Sequence, residues 1–152
     1  HYIKVADLEV LAKDITQRLE RMGILIVVQP SIKEAIALYR DRANTLNELA
    51  QSIAYFYSKP HMDEVAKEKH ITADILPVLN ALATQLASID WTVEAIHASI
   101  EHAVTSNALK FPKVAMPLRV MLTGGAQSPG IDAVMAILGK DEVLARIRMA
   151  LK

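Results

Sequence analysis

The feature that most restricts the fold is the recurrence of apolar residues at three- and four-residue steps. The first stripe contains Leu8, Leu11, Ile15 and Leu19, and it ends at Gly23. Stripes with the same period follow in residues 32–39, 46–56, 75–86 and 93–104. Residues three and four apart share one face of an α-helix, whereas a half-buried strand would alternate every second residue. The pattern therefore predicts an all-α protein.

Composition supports a helical core and excludes several classes of protein. Hydrophobic residues make up 52% of the chain but aromatics only 5%, a bias that suits packed helices better than sheets. No apolar run approaches the roughly 20 residues of a membrane span, and the first residues lack the order of a signal peptide. With no cysteine, disulfides and thiolate zinc sites are excluded. We expect a cytoplasmic protein without a membrane partner.

A break in the periodicity divides the chain. Ser58-Lys59-Pro60-His61 combines a proline with polar residues between two apolar stripes. The break predicts a first helical lobe at 1–58 and a second at 59–152. Because position 1 is not methionine, we also expect a chain that begins within a longer protein.

Capping residues predict where several helices begin. Ser31 and Glu34 have capping-box spacing, and Thr72 is expected to cap the helix that contains Pro77. Ser128 is expected to cap a helix with Pro129 at its first position. The last helix is predicted to start at Lys140-Asp141-Glu142.

The apolar run 116–122 is too short for its period to decide between helix and strand. A loop is predicted around 110–113, before this run. Pro117 is well suited to a first helical turn, so helix is favoured for the run.

The glycine cluster at 123–130 has two interpretations. It is not a phosphate loop, because Gly124 and Gly130 are six apart rather than five and Ile131 follows instead of Lys-Ser/Thr. It could be a tight interhelical turn. Alternatively, its bare backbone could let an unstacked base approach closely.

Few residues suggest catalysis or metal binding. Glu94 and His97 have the spacing of helical di-iron sites, but the second copy that such sites require is missing, so no metal site is predicted. No serine, threonine or lysine has a recognisable base partner, so no catalytic residue is predicted. Arg40 and Arg42 flank Asp41 and suit either an exposed helix face with weak ion pairs or a binding role.

Charge is balanced overall but unevenly distributed. The chain has 17 basic and 17 acidic residues. From His102 onward there are seven basic and three acidic residues, a balance of +4, and the preceding part carries −4. A modestly basic C-terminal part could bind the phosphate groups of a nucleic acid, although neutral proteins often have such asymmetry by chance.

The run from Met116 to Gly130 closely resembles the end of bacterial glutamyl-tRNA synthetases. The family pattern there is Pro-Leu-Arg, an apolar stretch, Thr-Gly and Ser/Thr-Pro, followed by a short helix. Shorter stretches that match in the same order are 41–46, 55–57, 90–92, 137–140 and 143–147. The resemblance spans essentially the whole chain, with residues 60–90 matching only loosely.

The resemblance implies a two-lobed helical cage that acts as one anticodon-binding unit. By position, Arg42 would read the third anticodon base, a cytosine in glutamate tRNA, with Arg40 as a rival. Arg119 would lie beside the middle base or its phosphate. The wall for the first base would consist of Ser128, Pro129, Gly130 and Ile131, through backbone groups and apolar contact.

The resemblance also implies which parts of an enzyme this chain contains. In the complete synthetase the chain would position tRNA for ATP-dependent attachment of glutamate. The family's His-Ile-Gly-His-type and Lys-Met-Ser-Lys-type elements are absent, so ATP and Mg would belong to an N-terminal catalytic domain. The chain alone would be inactive. Alternatives are a non-discriminating synthetase that also charges glutamine tRNA, a helical protein-interaction module without RNA binding, or a helical enzyme.

Overall fold

A computed structural model describes residue 3 and residues 6–26 and 30–151. These residues form nine α-helices and no strand, which confirms the predicted all-α class. The helices are α1 (Leu8–Arg21), α2 (Ile32–Tyr39), α3 (Leu46–Ile53), α4 (Glu64–His70), α5 (Leu76–Leu86), α6 (Val93–Ser106), α7 (Phe111–Thr123), α8 (Ile131–Leu138) and α9 (Lys140–Ala150). Short 3-10 turns occupy Arg40–Arg42 and Ala54–Phe56. Among the described residues, no helix is long and apolar enough to cross a membrane.

The chain divides into two compact units, His1–Lys59 and Pro60–Lys152. In the first unit α1, α2 and α3 pack on one another around a fully buried set of side chains: Leu11, Ile15, Leu19, Ile36, Leu49 and Ile53. Each of these helices begins at a side chain that accepts a backbone N–H, namely Asp7, Ser31 and Thr45. Such caps are worth about 1 kcal/mol each, so they fix where each helix begins.

Aromatic side chains from the end of α2 and from the 3-10 turn after α3 form a cluster in the first unit. The hydroxyls of Tyr39 and Tyr55 are hydrogen-bonded at 2.9 Å, and the rings of Tyr55 and Phe56 stack with centroids 4.3 Å apart. Tyr57 donates to the carbonyl of Pro30 at 2.7 Å. The Tyr39–Tyr55 bond holds the 3-10 turn 54–56 against the end of α2, and the Tyr57 bond joins the residue after this turn to the segment before α2.

In the second unit, α6 and α7 are the central helices. Helix α6 packs on α5, α7 and α8, while α7 packs on α4, α6, α8 and α9. The two helices bury Ile96, Ile100, Val114 and Leu118 completely. Because α7 touches four other helices, its course decides the positions of the segments at both of its ends.

Helix α7 begins earlier than the sequence pattern predicted. It starts at Phe111 with Pro112 in its first turn, so the predicted loop at 110–113 is wrong. The run 116–122 is helical as favoured, but Pro117 lies inside the helix rather than at its start. Pro112 supplies the first-turn proline instead. Burial of Pro117 offsets part of the cost of its missing N–H donor.

The start of α5 also differs from the prediction. The helix begins at Leu76, and Thr72 bonds Asp74 instead of capping it. Pro77 explains the later start. A helix that began at Thr72 would place this proline in its interior and lose a backbone hydrogen bond, whereas a first-turn proline costs nothing.

The end of α7 depends on Gly124. This residue has a φ of +91°, in the left-handed region that glycine occupies without strain. Its carbonyl accepts the backbone N–H of Asp63 at 2.7 Å, so the segment before α4 packs directly on the helix end. A Cβ atom at position 124 would lie 2.7 Å from the carbonyl oxygen of His61.

Gly124→Ala should therefore destabilise the chain, with Gly125→Ala as a matched control. The backbone conformation alone costs about 1–2 kcal/mol for a residue with a side chain, and the contact with His61 adds to that cost. No atom lies within 4 Å of a Cβ at position 125. We expect urea unfolding to show a loss of at least about 2 kcal/mol for the first variant and less than about 0.5 kcal/mol for the second. Equal losses would contradict this account.

Candidate nucleic-acid interface

The first unit carries the two candidate arginines on a turn, and hydrogen bonds hold the segment that joins this turn to α3. The 3-10 turn Arg40–Arg42 leads through buried Ala43 to α3. The Thr45 hydroxyl accepts the backbone N–H of Glu48 at 3.0 Å, and the Glu48 carboxylate accepts the N–H of Asn44 at 2.8 Å. These reciprocal bonds resemble a capping box and hold the turn against the start of α3.

The guanidinium of Arg40 is used inside the unit. Its Nε and Nη2 atoms donate to the carbonyl of Ile3 at 3.1 and 2.8 Å, and Nη2 also donates to the carbonyl of Ala6 at 2.5 Å. Arg40 is half-buried. Its charge therefore fastens the chain before α1, and few of its donors are left for a ligand.

Arg42 has the opposite character. Its side chain is exposed, and in the described part of the chain it forms no ion pair. Burial raises the pKa of the nearby Tyr39, and the bond to Tyr55 and the charge of Arg42 lower it in part. The Arg42 charge is thus close to the aromatic cluster while its donors remain open to a ligand.

In the second unit, Arg119 and Ser128 are brought together. The Nε of Arg119 donates to the Ser128 hydroxyl at 3.1 Å, and its Nη1 lies 3.5 Å from the sulfur of Met116. Arg119 is half-buried on α7, and no acidic side chain pairs with it among the described residues. This contact ties the guanidinium to the turn that follows α7.

The predicted cap at Ser128 is wrong. Helix α8 begins at Ile131 after Gly130, with no side chain capping it from outside, and the Asp132 carboxylate accepts the N–H of Ala133 at 2.9 Å. The Ser128 hydroxyl instead donates to the carbonyl of Pro129 at 2.8 Å. It lies too early in the chain to reach the first turn of α8.

The remaining wall residues differ in what they can offer a ligand. Gly130 is exposed, and Pro129 is half-exposed. The side chain of Ile131 is only 1% exposed, so its apolar surface belongs to the core. Its backbone N–H lies in the first turn of α8, where N–H groups have no partner within the helix. The turn therefore offers backbone groups and the Pro129 ring.

His97 lies near this turn, and its contact with α8 was not predicted from the sequence. Its Nδ1 lies 3.3 Å from the Asp132 carboxylate and its Nε2 lies 3.3 Å from that of Glu101. The His97 ring also packs against Phe111, with centroids 5.7 Å apart. The four-residue spacing to Glu101 is readable in the sequence, whereas the contact with Asp132 is not, because it joins α6 to α8.

Comparison with known proteins identifies the family. A family model described as an anticodon binding domain matches residues 10–151. The chain belongs to the anticodon binding domain family. Arg42, Arg119 and the turn at 124–130 all lie within the matched residues.

Relatives of this anticodon binding domain are longer proteins. The chain is 57% identical over its whole length to a glutamate–tRNA ligase of Methylobacillus flagellatus, of which it covers 32%. It is 43% identical to one of Nitrosomonas europaea over 97% of the chain, again covering 32% of the relative. A solved glutamate tRNA ligase of Elizabethkingia meningosepticum matches 99% of the chain with a TM-score of 0.88 at 25% identity, covering 30% of that structure. The chain spans about a third of the length of these relatives and matches their C-terminal part.

The different uses of the two arginines in the first unit can be separated by measuring stability. Arg40→Met leaves the carbonyls of Ile3 and Ala6 without their donors, which should cost about 1–3 kcal/mol. Arg42→Met removes an exposed charge and should change the free energy of unfolding by less than about 0.5 kcal/mol. Urea unfolding of both variants gives the comparison. A larger loss for Arg42→Met would reverse the assignment.

Proposed function

We propose that the chain binds the anticodon loop of glutamate tRNA as the C-terminal part of a glutamyl-tRNA synthetase. The observation that carries this proposal is the family match over residues 10–151, together with ligase relatives that share up to 57% identity. In the complete enzyme this part holds tRNA while a catalytic domain attaches glutamate in an ATP-dependent reaction. Both units act together on the anticodon loop, in the cytoplasm.

Arg42 reads the third anticodon base. Guanidinium only donates hydrogen bonds, and cytosine presents acceptors at O2 and N3. Guanine at the same place, as in glutamine tRNA, would present N–H donors against a donor. A buried donor left without a partner costs about 1–3 kcal/mol, which corresponds to roughly tenfold to hundredfold discrimination. Arg42 is preferred over Arg40 because the Arg40 donors already bond Ile3 and Ala6.

Arg119 and the turn after α7 receive the other two bases. The Arg119 guanidinium retains donors beyond the Nε that bonds Ser128, and these suit the middle base or its phosphate. The first base lies against Ser128, Pro129, Gly130 and the backbone N–H of Ile131. The absence of a side chain at exposed Gly130 leaves the backbone accessible to a base.

The chemistry of aminoacylation is assigned to the catalytic domain. ATP and Mg would supply activation of the glutamate carboxyl group there. The described residues contain no group of three or more His, Asp or Glu side chains that could hold a metal ion. In this proposal the chain's own contribution is to bind and orient tRNA.

The proposal can be tested with RNA anticodon stem-loops that carry cytosine or guanine at the third anticodon position. The unchanged chain should bind the cytosine form about tenfold to hundredfold more tightly at low salt. Arg42→Gln should bind both forms with similar affinity, because the amide side chain can accept as well as donate a hydrogen bond. Fluorescence anisotropy of labelled stem-loops gives both dissociation constants.

Arg148→Gln is the matched control for this experiment. Arg148 is exposed on α9 and forms no ion pair in the described part of the chain, so its removal changes the net charge equally. It should keep the preference for cytosine. Equal binding of both loops by the unchanged chain would indicate a non-discriminating synthetase, and no binding by the folded chain would contradict the proposal.

A further inference from the structure

The first unit contains a cleft that none of the assignments above uses. Its volume is about 300 Å³, and it is lined by Arg18, Arg21, Met22, Asn47 and Gln51. The lining residues come from the last turn of α1, from its capping residue Met22 and from α3. Every polar side chain in the lining is a guanidinium or an amide, so the cleft offers many hydrogen-bond donors and no carboxylate.

Internal contacts orient part of this lining. The Nε of Arg18 donates to the Asp14 carboxylate at 2.5 Å, and its Nη1 donates to the amide oxygen of Asn47 at 2.6 Å. Because the Asn47 oxygen already accepts a bond, its NH₂ group remains as a donor. Arg18 is therefore compensated in charge, and it fixes the orientation of the amide across the cleft.

Arg21 adds an exposed positive charge to the cleft. It is exposed at the end of α1, and no acidic side chain lies within 4 Å of it in the part of the chain that the structure describes. A cation in the last turn of a helix stabilises the helix dipole, which accounts for an arginine at this position. The helix dipole does not explain why Arg21 lines a cleft together with the amides of Asn47 and Gln51 and with no acidic side chain in the lining.

The chemistry of the lining selects the class of ligand. A planar guanidinium and neighbouring amide donors match the oxygens of a phosphate, which accepts several hydrogen bonds and carries negative charge. The cleft also lies beside α3, the helix that follows directly after the turn carrying Arg42. An RNA strand whose base is read by Arg42 would have backbone phosphates within the same unit.

We propose that this cleft binds a phosphodiester of the RNA backbone beside the base read by Arg42. The proposal rests on the proposed function. Phosphate contacts fix the register of an RNA strand without reading its sequence, whereas contacts to base edges specify the sequence. The cleft thus positions the strand, and Arg42 discriminates the base.

The test compares Arg21→Gln with Lys13→Gln, using anisotropy of the cytosine and guanine stem-loops over a range of salt concentrations. Lys13 is exposed on the same helix but does not line the cleft, so it controls for the loss of one charge. Arg21→Gln should lower the affinity for both stem-loops by about threefold to tenfold. It should also reduce the slope of log affinity against log salt by about 0.7–1. The cytosine-to-guanine ratio should not change.

Three outcomes would overturn the proposal. If Arg21→Gln and Lys13→Gln weaken binding equally while the unchanged chain still prefers cytosine, the cleft makes no specific contact, although the proposed function stands. If Arg21→Gln alters the cytosine-to-guanine ratio, Arg21 reads a base and not a phosphate. If the unchanged chain binds no stem-loop, both proposals fail; inorganic phosphate compared with chloride at equal ionic strength then tests for a free-anion site. Thermal unfolding of each variant verifies that the fold is intact.

Discussion

The second unit depends on how α7 ends. The last carbonyls of a helix have no partner within it, and here one of them and the carbonyl of the capping residue are satisfied from outside. Leu122 accepts from the buried Arg146 at 2.7 Å, and Gly124 accepts the N–H of Asp63 at 2.7 Å. The left-handed conformation of Gly124 turns the chain away from the helix axis. The turn that follows is therefore held on its α7 side by the hydrogen bonds from Arg146 and Asp63, and further along by the contact of Arg119 with Ser128.

The arginines of this chain differ in how many of their hydrogen-bond donors are already used within the fold. Arg40 donates to the backbone carbonyls of Ile3 and Ala6, and Arg146, only 6% exposed, donates to the Leu122 carbonyl and to the Glu142 carboxylate. Arg42 and Arg21 are exposed and form no ion pair among the described residues. The same guanidinium chemistry thus serves packing at two positions and remains available to an anionic or base ligand at two others.

Local signals in the sequence predicted the helices well because each depends on neighbours along the chain. The apolar period located α1, α2 and α3, and Lys140-Asp141-Glu142 located the start of α9. Misplaced starts came from positions where two local signals compete. Pro112 and Pro117 can each occupy a first helical turn, and only the packing of α7 over its full length selects Pro112.

The candidate site was harder to predict, because its decisive contacts join residues distant in sequence. The resemblance favours Arg42 but leaves Arg40 as a rival, and only the bonds from Arg40 to Ile3 and Ala6 distinguish the two side chains. Burial of Ile131 and the pairing of His97 with Asp132 likewise follow from how α6 and α8 pack. The roles proposed for the site residues come from resemblance to a family, since composition alone indicates only a helical protein with a slightly basic end.

If RNA binds as proposed, it contacts the Arg42 turn and the turn after α7. The backbone amide resonances of the isotopically labelled chain can be followed while an anticodon stem-loop of glutamate tRNA is added. We expect the largest chemical-shift changes at 40–44 and 119–131, with small changes through the buried part of α6. Changes confined to other surfaces, or no change at saturating RNA, would contradict it.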